Sequence, residues 1–160
     1  MITAATKIEK NSYVVLQLGG RRFALPAGIV SELAPSVHLN DFPHQTPVVS
    51  GVILRRGHII PVYDVSPVLL GKHSSGSRFY LVATRQFGAH GELSAIPVDG
   101  ECELVNAELL PTPDDSPNYI AGMLTFGDDR IEVLDFENLV RADREMSPAS
   151  PRVSTTEARS

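Results

Sequence analysis

Few of the side chains in this 160-residue chain could do bond-making chemistry. The single cysteine, Cys102, stands in Glu101-Cys102-Glu103 with no base beside it. A thiol needs a neighbouring base or cation to become a nucleophile, so the expectation is an inert, buried thiol. The five histidines, His38, His44, His58, His73 and His90, are scattered over expected loops and turn edges. None makes the paired spacing that holds zinc. Asp114-Asp115 and Asp128-Asp129 fall in expected turns, where aspartate is favoured for local hydrogen bonding rather than acid–base work. Gly19-Gly20 lacks the glycine and lysine spacing of a phosphate-binding loop. No catalytic residue, metal site or cofactor is therefore expected. What remains is contact chemistry. Arg56 stands beside a turn glycine, Gly57, where a long side chain is held outward. It is either a solvated charge or a presented contact residue, since arginine is enriched among the residues that dominate interfaces.

The elements that position these residues are mostly strands. Tyr13 to Leu18 alternates, Gly19-Gly20 breaks it, and Arg22 to Pro26 returns as a first hairpin. Val30 to Leu33 is a short apolar piece carrying Glu32. Residues 34–47 hold three prolines and read as loop. Residues 51–70 organise the chain. Two β-branched runs flank Arg56-Gly57 as a hairpin, and Asp64 follows at the N-cap of a short apolar helix. Residues 71–77 are a small polar linker. Phe79 to Phe87, Glu92 to Val98 and Glu101 to Val105 read as strands. Tyr119 to Phe126 and Arg130 to Leu134 form a last hairpin, and Asp135 caps a short helix through Val140.

Composition narrows the functional classes. At 42% hydrophobic and 21% charged, the chain is ordinary for a globular protein. Its net charge of −5 leaves no basic field for nucleic acid. The aromatic content of 6%, with no tryptophan, offers little platform for stacking bases or sugars. No apolar run is long enough to span a bilayer, because Arg55 and Arg56 cut the best candidate. No signal peptide is evident and one cysteine makes no internal disulfide, which fits the cytoplasm. Residues 1–11 read as a loose arm. Residues 143–160, rich in Ser, Pro, Thr and Ala, have almost nothing to bury and read as a disordered tail.

The chain also repeats. Slid against itself by 71 residues, residues 23–70 fall on 94–141 with nine identities, among them Ala24/Ala95, Glu32/Glu103, Gly51/Gly122, Ile60/Ile131, Val62/Val133 and Asp64/Asp135. Ordinary residue usage gives about three by chance. Hairpin glycine, strand valine and helix-cap aspartate all coincide. Two similar β-rich units in tandem follow, each able to close as a small barrel without exposed sheet edges. Each alone has a meagre core, so the two are expected to pack together.

These segments resemble the CheW-like domain of bacterial chemotaxis coupling proteins. Val49-Ser50-Gly51-Val52 through Arg56-Gly57-His58-Ile59-Ile60-Pro61-Val62-Tyr63-Asp64 is similar to that family's Gly-Val-x-Asn-Leu-Arg-Gly stretch. Val98-Asp99-Gly100, Tyr119-Ile120-Ala121-Gly122 and Ile131-Glu132-Val133-Leu134-Asp135 resemble three further family motifs, in the same order. Leu54 and Arg55 depart from the family's Asn-Leu. The resemblance covers residues 13–141. It implies a mostly β fold of two tandem SH3-like five-stranded barrels with short helices, the first unit about 20–70 and the second about 78–141, sharing the first strand and the linker within a domain of 12–142.

The resemblance also implies a non-enzymatic cytoplasmic adaptor, without direct membrane insertion or nucleic acid. It would couple the cytoplasmic tip of a chemoreceptor to the regulatory domain of a CheA-type histidine kinase. Related members serve pilus-motility or surface-sensing arrays, and a standalone peptide-binding barrel is the alternative of another class. The family's sensitive glutamate and arginine fall on Glu32 and Arg56, with Gly57 shaping the turn. Val30 and Leu33 are expected near the kinase contact, and Val98 at the groove between the barrels that receives the receptor. Closure of the first barrel is expected to pair Glu32 with Arg56.

Overall fold

The computed structural model describes residues 12–35, 39, 50–72, 79–87 and 90–146. The expected arm 1–11, most of the linker and the tail beyond residue 146 lie outside these. Ten strands run β1 (Ser12–Leu18), β2 (Arg21–Pro26), β3 (Val30–Pro35), β4 (Gly51–Arg55), β5 (His58–Val62), β6 (Phe79–Phe87), β7 (His90–Val98), β8 (Glu103–Asn106), β9 (Ile120–Phe126) and β10 (Asp129–Leu134). Two helices are added, α1 (Ser66–Leu70) and α2 (Phe136–Met146), with a single 3-10 turn over Ala27–Ile29.

The strands form two five-stranded sheets, in the orders β8-β1-β2-β10-β9 and β3-β6-β7-β5-β4. The 71-residue shift sends β2 to β7, β3 to β8, β4 to β9 and β5 to β10, and β6 takes the place of β1. Each sheet order then becomes the other. The repeat therefore holds strand for strand, but the hairpins are exchanged. The first hairpin of each repeat joins the sheet of the other repeat. Strand β2, expected in the first unit, runs parallel to β10 through Ala24 and Val133. The equivalent contact, Val62 with Ala95, joins β5 to β7. Sequence division at about 20–70 and 78–141 thus differs from the sheets: β1 and β2 belong with β8–β10, and β6 and β7 with β3–β5. The exchange makes each parallel contact, β2 with β10 and β5 with β7, a join between the two repeats.

Each sheet encloses a small core, and the two cores match position by position. Tyr13, Val15, Ala24, Leu124, Ile131 and Val133 fill one. Val82, Ala95, Ile53, Ile60 and Val62 fill the other, with Tyr80 packed against it. A larger core lies between the sheets. It buries Leu16, Phe23 and Leu25 from one, Leu81, Ile96 and Val98 from the other, and Val65, Leu69, Phe136 and Leu139 from the helices. The barrels share their largest apolar cluster, as the smallness of each alone requires.

Polar contacts tie the shared core at its margins. Asp99 accepts from the Gly19 N–H in the β1–β2 turn, and the Asp99 N–H donates to the Gln17 carbonyl at 2.9 Å, so the end of β7 is stapled to the other sheet. Leu70 at the end of α1 packs closely on this turn, 2.6 Å from where a Cβ on Gly19 would stand, and the φ of 57° there is one that glycine adopts without cost. Both repeated aspartates stabilise helix starts. Asp64 accepts from the Ser66 N–H at 3.1 Å, and Asp135 from the Asn138 N–H at 3.2 Å. Helix α2 runs to Met146, six residues past Val140 and into the stretch expected as tail. Arg141, Ala142, Arg144, Glu145 and Met146 are strong helix formers, and Glu137 precedes Arg141 at the favourable spacing of four.

Candidate functional site

The first barrel is closed by an ion pair at its seam. Strands β3 and β4 are the two edges of their sheet and do not hydrogen-bond to each other in its strand order. Glu32 on β3 nevertheless meets Arg55 on β4. Arg55 donates to it twice, from Nε at 3.3 Å and from Nη2 at 3.0 Å. The geometry follows from strand parity. Ile53 points into the small core, so Arg55, two residues on, stays on that face. Ala34 is in the same core, so Glu32, two residues before it, faces Arg55. A bulge between Val30 and Glu32 sets this register. It also turns Val30 and Leu33 together toward the shared core, where both are half-buried.

Arg56 is the third member. Its guanidinium lies 3.5 Å from the same Glu32 oxygen, with 75% of its side chain exposed against 24% for Arg55 and Glu32. The expected Glu32–Arg56 pair is therefore a three-residue cluster, in which Arg55 makes the tighter bond and Arg56 the looser one. Sequence reasoning marked Arg55 as a departure from the family's pattern and paired Glu32 with Arg56 alone, though the parity of Arg55 with Ile53 was a usable signal, because a charge on an inner face needs a partner. The hydrogen bonds from Arg55 hold the Glu32 carboxyl below the usual carboxylate range, and Glu32 holds the Arg55 guanidinium above its own.

The backbone at this turn is itself unusual. Arg56 has φ 52° and Gly57 φ 82°, the pair of left-handed residues that a tight two-residue hairpin needs. Arg56 is the only non-glycine residue with positive φ among the described residues. A non-glycine residue in this conformation carries a backbone cost of about 1–2 kcal/mol. On the outer face beside it, Leu54 and Ile59 form a cross-strand pair and are 60% and 67% exposed.

The remaining expected residues separate. Gly57 is exposed in the turn. Val98, expected at the groove between the barrels, is fully buried and packs in the shared core. Its position at a strand end next to Asp99-Gly100 matched the motif but did not reveal its burial. A groove between the sheets does exist elsewhere. It has about 250 Å³ of space and is lined by Pro26, Ile29, Thr84, Ala121, Leu134 and Glu137. Behind it, the nearly buried Arg85 lies 5.3 Å over the Tyr63 ring and donates to the Tyr63 hydroxyl at 3.1 Å and to Glu137 at 3.4 Å. Cys102 is half-buried, and burial pushes its thiol up to about 11. No group of three His, Cys, Asp or Glu residues among those described could hold a metal ion. Among the described residues no helix is long and apolar enough to cross a membrane.

Among the described residues the one thiol, Cys102, is not activated. Comparison with known proteins agrees with the fold. The scaffolding protein TtCheW from Thermoanaerobacter tengcongensis is similar in structure, with a TM-score of 0.67 at 22% identity, over 81% of this chain and 87% of that one. That likeness extends to the tandem SH3-like barrels. No curated protein matches in sequence. The profile of the CheW-like domain matches residues 12–144, from the first strand to the last turns of α2. Both exchanged sheets, α1, all but the last two residues of α2 and the Glu32 cluster lie within that span, and the chain belongs to the CheW-like domain family.

Proposed function

We propose that this protein is a non-enzymatic adaptor that couples the cytoplasmic tip of a chemoreceptor to the regulatory domain of a CheA-type histidine kinase. In this reading the kinase docks on the seam of the first barrel, at Glu32, Arg56 and the adjoining Val30–Leu33 strand. The receptor lies in the groove between the sheets. The observation that carries the reading is the Glu32 cluster. One carboxylate is fixed by Arg55 from inside, which leaves Arg56 to be presented outward on a strained turn. Membership of the CheW-like family supports the scaffold role, and the absence of an activated nucleophile among the described residues is compatible with it.

Two variants separate the surfaces. Glu32→Gln removes the charge that orders both arginines, and is expected to weaken binding of the kinase regulatory domain while leaving the receptor fragment bound. Ala121→Glu places a charge in the groove and is expected to do the reverse. Titration of each variant with each partner reads the result. The opposite pattern, or loss of neither partner, refutes the assignment.

A further inference from the structure

The internal repeat supplies a comparison within one molecule. Each barrel has a hollow at the starts of two neighbouring parallel strands, β5 and β7 in the first barrel, β10 and β2 in the second. In the first barrel the hollow is lined by His58, Ile59, Pro61, Gly91, Glu92 and Leu93, with about 400 Å³ of space. Adding 71 residues to His58, Ile59 and Pro61 gives Asp129, Arg130 and Glu132. Subtracting 71 from Gly91, Glu92 and Leu93 gives Gly20, Arg21 and Arg22. All six line the hollow of the second barrel, which has about 510 Å³. The position is the same and the chemistry is not. Ile59, Glu92 and Leu93 in one are Arg130, Arg21 and Arg22 in the other.

The first hollow shows that the fold does not require arginines there. Arg21 has one structural task, donating to the Leu69 carbonyl at the end of α1 at 3.2 Å. Arg22 and Arg130 have no such task among the described residues. Three guanidiniums face two carboxylates. Arg21 meets Glu132 at 3.4 Å and Arg22 meets Asp129 at 3.5 Å, both in long, exposed pairs. Such pairs hold weakly and exchange readily for a better carboxylate. Arg130 makes no ion pair among the described residues, so the hollow carries a net positive charge in a chain of net charge −5. Arg21 and Arg22 also lie over the rings of Phe23 and Phe126, at 4.9 and 5.5 Å, an added attraction for each cation. Planar guanidiniums suit bidentate carboxylate recognition.

We infer that this hollow of the second barrel docks an acidic segment of a partner protein, one that places two or more carboxylates on Arg21, Arg22 and Arg130. The space is several times that of a single carboxylate or phosphate. A lone small anion would engage Arg130 and gain little from arginines already paired. An extended acidic segment replaces Glu132 and Asp129 together. The site lies on the other barrel from the Glu32 cluster and does not depend on the kinase reading. Of the two equivalent hollows, only that of the second barrel is cationic.

The test uses the full chain, isotopically labelled, titrated with a hexaglutamate peptide and followed by amide and guanidinium resonances. Shifts are expected at Gln17–Arg22 and Asp129–Glu132, while His58, Ile59 and Gly91 stay still. Affinity should drop several-fold between low and physiological salt, because exposed charges are screened. Arg130→Ala should weaken the peptide about threefold or more, and Asp129→Asn, which releases Arg22, should tighten it. A thermal melt checks that both variants fold. A hexalysine peptide shifting the same resonances would overturn the inference. So would equal shifts from inorganic phosphate, which would make the hollow a small-anion site. An Asp129→Asn variant that binds hexaglutamate no better than the native chain would also count against it.

Discussion

Arg56 allows folding and binding to be separated by one pair of substitutions. Its side chain makes a single looser contact, 3.5 Å to Glu32, and is three-quarters exposed. Removing that contact costs the fold about 0–1 kcal/mol. Its backbone is left-handed, which costs a non-glycine residue about 1–2 kcal/mol. Arg56→Ala loses the contact and keeps the strain. Arg56→Gly loses the contact and relieves the strain, less about 0.5–1 kcal/mol for the freedom glycine gains in the unfolded chain. The glycine variant should therefore be the more stable by about 0.5–1 kcal/mol, or roughly 2–4 °C in melting temperature for a domain of this size. Both variants lose the same presented charge, so both should bind the kinase regulatory domain about thirtyfold more weakly, a loss of about 2 kcal/mol. Calorimetric melts and a binding titration on the same samples read both quantities. Equal melting temperatures would refute the strain argument. Native affinity in either variant would refute the contact.

Three further outcomes follow from the geometry. Gly122→Ala puts a methyl within 2.9 Å of the Leu110 carbonyl and against the Leu109 side chain, forcing apart the Leu110–Met123 bridge. A loss of about 1–3 kcal/mol is expected in a denaturant melt. The Glu32 carboxyl is held below its ordinary range, so its pairing stabilises the fold fully above the unfolded value of about 4.3 and is lost as pH falls through the lower folded value. The stability difference between the native chain and Glu32→Gln should hold steady above about pH 5 and shrink below about pH 4, read by melts across that range. The Cys102 thiol, pushed up to about 11, should alkylate at pH 8 roughly a hundredfold more slowly than a free thiol, timed by mass spectrometry.

Much of this fold was legible in the sequence, and the limits have physical causes. The 71-residue offset identified equivalent strands because Ala24/Ala95 and Val62/Val133 are the residues that meet in the two parallel contacts. An offset names equivalent strands but cannot say whether they pair within a repeat or across it, and the hairpin exchange therefore stayed hidden. The Arg56-Gly57 turn was plain from glycine chemistry. The left-handed backbone of Arg56 was not, since arginine has no such preference. Arg55 stood out as a departure from the family's pattern, but its pairing with Glu32 did not, because two adjacent arginines read as one charged tip, whereas strand parity sends one inward to Glu32 and the other outward. Val98 shows the converse. An apolar residue at a strand end can face a groove or a second sheet, and only the packing of two sheets decides.

The central claim is that two partners occupy two surfaces of one small scaffold. The direct measurement is sedimentation of the native chain mixed with a kinase regulatory domain and a receptor cytoplasmic fragment, separately and together. The account predicts a binary complex with each and a ternary complex when all three are present. Displacement of one partner by the other, or failure of the kinase domain to bind at all, would contradict it.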